Sequence, residues 1–217
     1  GNAPEWVAGR FGGALEFDGA FDQVFVADSP DFDVASFTIS AWARWDGATT
    51  VVSTVVGNRA PGGSDRHYGL RMTDTGVAYF YYDDGSEWDC VEGTTTLDDG
   101  AWHHIAGVLT AGSQATVYLD GVEEGVDSSS VPSAIAPSGN TYIGRDGDSD
   151  WGNRWNGAID DVRVYDRALT PAEVAALAGA PPTDVAGNRL DGEYTGSLPA
   201  GDGSAGGDFV VSFTVEA

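Results

Sequence analysis

Residues 36–45 read SFTISAWARW. Phe37, Ile39 and Ala41 alternate with Thr38, Ser40 and Trp42, the period of two that puts successive side chains on opposite faces of a β-strand. The same signal spreads outward along the chain. AYFYYDDGSEW (78–88) and ATVYLDGVEEG (115–125) each carry an aspartate–glycine pair, Asp84-Gly85 and Asp120-Gly121, of the kind that closes a hairpin. With 31 Gly and 9 Pro as punctuation, the chain reads as about a dozen strands, enough for two stacked antiparallel sheets. One helix stands apart, in LTPAEVAALAG (169–179). Thr170 caps it, Pro171 suits its first position, Glu173 completes a capping box and Gly179 ends it.

A chain of 217 residues can bury a sizeable core, and a single all-β domain of that size is ordinary. After residues 180–182, APP, the composition changes: 183–208 is rich in Gly and Asp and reads as linker, followed by one strand, FVVSFTVEA. The expected organisation is therefore a domain over 1–179 and a linker with a C-terminal strand over 180–217. Phe209, Val211, Phe213 and Val215 give that strand one apolar face. It is suited to completing a sheet by strand exchange, in its own domain or in a second copy.

The charge excludes more than it selects. Against 10 basic residues, all Arg, stand 34 acidic ones, 25 Asp and 9 Glu, for a net charge of -24. Such a chain repels phosphate backbones and anionic lipid, so neither nucleic acid nor membrane insertion is expected. It suits solubility at high salt, as in halophilic proteins, and the binding of hard cations through oxygen. Cys90 is the only cysteine, so no intrachain disulfide can form. The opening residues, GNAPEW, show no basic region followed by an apolar stretch.

Three stretches then converge: VAGRFGGALEFDG (7–19), DDGAWHHIAGVL (98–109) running on to VYLDG (117–121), and WNGAIDDVRVYDRALTPAEVAAL (155–177). In order and spacing they resemble the laminin G-like, concanavalin A-like jelly-roll domains of secreted bacterial and archaeal proteins, over roughly residues 1–179. The resemblance implies an all-β, two-sheet antiparallel jelly-roll sandwich. It also implies a structural calcium joining Asp18, in the early Asp-Gly corner, to Asp160 of the last core strand, with Asp161 as a substitute ligand. The tail resembles the end of a bacterial immunoglobulin-like surface module. This family opens with a strand ahead of the point where the present sequence starts, so an unpaired sheet edge is expected beside the last core strand.

Four constellations bear on chemistry. EWDCVE (87–92) fits the Glu-x-Asp-x-x-Glu pattern of family 16 glycoside hydrolases, and Glu87, Asp89 and Glu92 on a bulged strand would project together. In so acidic a chain the pattern also arises by chance, and the resemblance places it in a connection between sheets; catalysis is not expected. DGDSDWG (146–152) starts like a calcium loop with Asp146, Asp148 and Asp150 but lacks the closing Glu, so a solvated acidic loop is the expectation. His103 and His104 are adjacent, hence on opposite faces of a strand, and read as structural rather than ligating. Trp88, Trp151, Asn153 and Arg154, in or beside polar loops, combine aromatic surface with oriented polar groups and form the candidate ligand site. Trp155 reads as core.

The sequence thus points to an extracellular or cell-surface recognition or adhesion module, stabilised by calcium and binding a glycan or cell-surface polymer. The alternative is a structural subunit of a surface layer or filament built by strand exchange, and a hydrolase comes third.

Overall fold

The computed structural model describes residues 3–47, 52–59, 66–83, 88–135, 139–146 and 153–179. The linker and C-terminal strand expected over 180–217 lie outside them, as do the Asp84-Gly85 turn, Glu87, Asp148, Asp150 and Trp151.

Alternation in the sequence becomes two antiparallel sheets. The seven-stranded sheet runs, in spatial order, β1 (Glu5–Ala8), β2 (Gly13–Asp18), β13 (Asn156–Tyr165), β4 (Phe37–Trp45), β9 (Trp102–Thr110), β10 (Gln114–Leu119) and β11 (Val122–Asp127). The six-stranded sheet runs β3 (Val24–Val26), β12 (Asn140–Ile143), β5 (Val52–Arg59), β6 (Arg66–Thr73), β7 (Val77–Asp83) and β8 (Trp88–Thr96). Non-consecutive neighbours in both sheets give the jelly-roll topology. Phe37, Ile39 and Ile105 of one sheet meet Tyr68, Leu70 and Phe80 of the other in a fully buried core. The Phe37 ring lies 4.6 Å from that of Tyr68 and 5.9 Å from that of Phe80.

Local signals hold where the backbone demands them. Asp120 (φ 49°) and Gly121 (φ 79°) turn β10 into β11 with two left-handed residues, the geometry that matches the twist of a hairpin. Helix α1 (Pro171–Gly179) is capped reciprocally: the Thr170 N–H donates to Glu173 Oε2 at 2.8 Å, and the Glu173 N–H donates to Thr170 Oγ1 at 3.3 Å. Val174 and Leu169 pack with Ala106, Val108 and Tyr118 on the outer face of the seven-stranded sheet.

Two expectations change. The last core strand, β13, has no open edge: it pairs with β2 on one side and β4 on the other. The β1–β2 hairpin supplies the strands that the resemblance suggested were missing. The described part of that motif, WDCVE (88–92), is also not a connection, since Trp88–Thr96 is an edge strand of the six-stranded sheet. Across the β7–β8 ladder Val91 faces Phe80 and enters the core, and Asp89, two residues away, shares its side. Glu92, opposite Tyr79, lies on the other face. Asp89 and Glu92 therefore cannot flank one glycosidic bond.

Candidate functional site

At the end of β2 the chain turns through Gly19 (φ 70°), and the carboxylates on either side hold the turn. The Ala20 N–H donates to Asp18 Oδ1 at 2.8 Å, and the Asp18 N–H donates to Asp22 Oδ2 at 3.0 Å. Asp22 is buried, and burial, with the Asp18 and Glu5 charges nearby, pushes its carboxyl above the usual carboxylate range. Asp22 Oδ1 and Gln23 Oε1 are buried acceptors that receive no hydrogen bond among the described residues. Just before them in sequence, Phe21 turns outward and stays 59% exposed. The guanidinium of Arg154, just before β13, lies 4.7 Å from the Phe21 ring centre, and that of Arg145, just after β12, lies 5.9 Å from it. Sequence reasoning singled out Arg154 and missed Phe21 and Arg145, whose only signal was an aromatic in a polar turn and a lone Arg before an acidic loop.

Behind this rim, Asp146 is not the solvated loop residue expected. It is 1% exposed, and Oδ2 accepts from Arg59 Nη1 at 2.8 Å, from Asn153 Nδ2 at 3.1 Å and from Arg71 Nη2. Asn153 is itself buried, at a left-handed φ of 23°, and its carbonyl accepts from the Thr54 N–H at 3.0 Å. Its amide thus positions the loop. Arg71 stacks 4.1 Å over Tyr81, whose ring lies across Gly57 and Gly69; a Cβ on Gly57 would sit 2.5 Å from the Tyr81 hydroxyl.

The three expected calcium ligands are not brought together. Asp18 pairs with Asn156 on β13, so Asp160 lies four positions further along that strand, roughly 13 Å at the usual rise per residue. Asp160 Oδ2 instead accepts from the Phe11 N–H at 2.9 Å and fastens the β1–β2 turn. Burial raises the Asp160 and Asp161 carboxyls, and Asp161 Oδ1 is engaged by Arg163 Nε at 2.8 Å. Among the described residues no three His, Cys, Asp or Glu side chains gather into a metal-sized cluster. The oxygen set that fits a hard cation in its chemistry is Asp18, Asp22 and Gln23: two carboxylates and an amide carbonyl, with two buried oxygens free to coordinate.

Trp88 is 44% exposed on edge strand β8, at the opposite edge of the sheet from β3 and β12, and does not converge with Asn153 and Arg154. Trp155 is core, at 1% exposure. The two histidines take opposite faces. His103 bridges Asp120 (2.7 Å) and Asp99 (3.1 Å), whereas His104 is buried 5.6 Å from the Trp42 ring. Elsewhere an open cleft of about 440 Å³ lies between Trp45-Asp46-Gly47 and Asp98-Asp99-Gly100. Asp46 is held there by Arg44, and Asp99 by His103. No helix among the described residues is long and apolar enough to cross a membrane.

Comparison with known proteins places this geometry. The family model of the concanavalin A-like lectin/glucanases superfamily matches residues 18–175. A mouse protein, the sushi, von Willebrand factor type A, EGF and pentraxin domain-containing protein 1, is 33% identical over 104 residues, or 44% of the chain. The match spans only 3% of that protein's length. Among solved structures, a heptameric SAP-like pentraxin from Limulus polyphemus superposes with a TM-score of 0.62 at 18% identity, over 76% of this chain and 81% of the other. Domain 4 of an extracellular arabinanase from Geobacillus stearothermophilus, solved with arabinotriose, superposes with a TM-score of 0.61 at 21% identity, covering 82% of each chain.

Proposed function

The chain belongs to the concanavalin A-like lectin/glucanases superfamily, and from that premise we propose that it is a non-catalytic, extracellular recognition module that binds glycans and is stabilised by calcium. The observation that carries the reading is Phe21, held open at the sheet rim beside two guanidinium groups. An exposed aromatic face next to oriented polar groups is what sugar recognition requires. The arabinanase domain, solved with arabinotriose and taken from an extracellular enzyme, supports both the ligand class and the location. The non-catalytic reading is supported by Asp89 and Glu92 lying on opposite faces of their strand. A glycan array probed with the full chain, with and without chelator, is the test. Retention of at least one glycan family is the expected result, and an array without any bound sugar would refute the reading.

The calcium ligands of this reading are Asp18, Asp22 and Gln23 rather than the pairing of Asp18 with Asp160. The ion would supply positive charge to the two buried oxygens at the turn and fix the loop that carries Phe21. An ion that binds only the folded state stabilises by mass action, about 2.7 kcal/mol at a hundredfold excess over its Kd. Calcium is therefore expected to raise Tm in the parent protein and to leave Asp22→Ala unmoved. Asp160→Ala should lower Tm through its lost hairpin contact yet keep the calcium increment. A calcium increment that survives in both Asp18→Ala and Asp22→Ala would place the ion elsewhere.

A further inference from the structure

We infer that the rim formed by Phe21, Arg145 and Arg154 selects acidic oligosaccharides, saccharides carrying a carboxylate or sulfate group, over neutral ones. The inference rests on the glycan-binding reading above and names its ligand class. In a chain of net charge -24, cations are scarce and the other described arginines with buried or half-buried side chains are neutralised. Arg44 pairs with Glu16 and Asp46, Arg59 and Arg71 with Asp146, and Arg163 with Asp161.

Arg145 and Arg154 differ. Both are half-buried, and among the described residues neither has a carboxylate partner or a hydrogen bond. The Nε atom of each is buried without an acceptor. Both guanidinium groups instead stack within 6 Å of the same exposed phenylalanine ring, an arrangement that leaves their outer nitrogens available as planar donors. The described carboxylates of the Phe21 turn are engaged elsewhere. Asp22 is turned inward onto the Asp18 N–H, and Asp18 accepts from the Ala20 N–H. Two arginines brought together from the ends of β12 and β13, without a carboxylate partner among the described residues, match the oxygens of an anionic group bidentately. Phe21 offers the apolar face on which a sugar ring rests. Phe25, 50% exposed on β3 with its ring 6.1 Å from that of Tyr142, extends the aromatic surface along the same edge of the sheet. The open cleft at Trp45 has the opposite character, with three aspartates in its walls.

The experiment is calorimetric titration of the full chain with three galactose-based oligomers: neutral galactan, oligogalacturonate and sulfated galactan. Binding of oligogalacturonate or sulfated galactan at least tenfold tighter than of galactan is expected, and the two acidic arms identify which anion is recognised. Arg154→Ala and Arg145→Ala should each weaken that binding tenfold or more, and Arg154→Lys should restore only part of it, because an ammonium keeps the charge without the planar fork. Phe21→Ala should weaken it while leaving Tm in place, since the ring is largely outside the core. Arg167→Ala, on the far side of the seven-stranded sheet, should change nothing. Equal affinity for galactan, or acidic binding unchanged in the Arg145→Ala/Arg154→Ala double variant, would overturn the inference and leave glycan binding standing. Failure of all three oligomers together with a blank array would remove both.

Discussion

Asp146→Ala destabilises the protein by roughly 3–5 kcal/mol, the cost of leaving a buried charge without its partner. One carboxylate oxygen serves Arg59, Arg71 and Asn153, and the two arginines and Asp146 are each at most 6% exposed. Burial alone would lower the Arg71 pKa, but the neighbouring Tyr81 and Asp146 outweigh it and push the guanidinium further toward its charged form. Removing Asp146 therefore strands a cation that cannot discharge. For a chain of this length the loss corresponds to a fall in Tm of roughly 6–20 °C. Asp146→Asn keeps hydrogen-bonding capacity but not the charge and should recover only a minor part. Arg71→Met in the Asp146→Ala background should recover more, because an apolar replacement needs no counter-ion. Urea unfolding of the four proteins is the check; a loss below 1 kcal/mol for Asp146→Ala would show that water reaches the site and that the pair is not buried in solution.

That cluster marks where sequence reasoning stops. Strand periodicity reports which side chains share a face, so SFTISAWARW and the Asp120-Gly121 turn were legible one residue at a time. The Thr170–Glu173 cap was legible for the same reason, since its partners are three residues apart. Asp146 was not. Its acidic, glycine-containing surroundings match a solvated loop, and only the tertiary placement of Asp146 against β5 and β6 brings it to Arg59 and Arg71, 87 and 75 residues away. Asp160 misled in the other direction. The resemblance assigned it to an ion with Asp18, whereas the β2–β13 register sets the two apart and gives Asp160 to the Phe11 amide. Phe21 and Arg145 carried only a weak local signal, an aromatic in a polar turn and a lone Arg, because the site they form with Arg154 depends on where β3, β12 and β13 end. The resemblance put EWDCVE in a connection, whereas Asp89 and Glu92 lie on edge strand β8, and the faces they take depend on the pairing with β7.

Acid should destabilise the fold through His104, and the sign distinguishes it from the carboxyls that burial raises. His104 is 2% exposed on β9, its ring 5.6 Å from that of Trp42, with Nδ1 buried and unpaired. Burial depresses its pKa from 6.5 to about 4; Arg163 acts in the same direction, and the Asp120 charge opposes it only in part. A base whose folded pKa lies below its unfolded one favours the folded state fully above pH 6.5, and that contribution drains away as pH falls toward 4. A shift of this size is worth about 3 kcal/mol, with roughly 2–3 kcal/mol already lost at pH 4.5. The buried carboxyls run the other way: Asp22, Asp160 and Asp161 are raised by burial and favour the folded state more as they protonate. His103 acts in a different window. Burial works against its charge, but Asp120 and Asp99 raise its pKa, so its contribution is complete below pH 6.5 and fades only at higher pH. Asp99, Glu124, Asp127 and Glu173, whose hydrogen bonds hold them below the usual carboxylate range, share the sign of His104, but their contribution is lost only as pH falls to the ordinary carboxylate range and below. The part of the fall that lies between pH 6.5 and 5 thus belongs to His104. His104→Phe keeps a ring against Trp42 and removes the titrating group, so its urea midpoint should stay level or rise over the interval in which the parent midpoint drops. If the parent and the variant lose stability in parallel, the imidazole takes up its proton as readily in the folded protein as in the unfolded one, and the face of the sheet under Arg10 and Phe11 admits water.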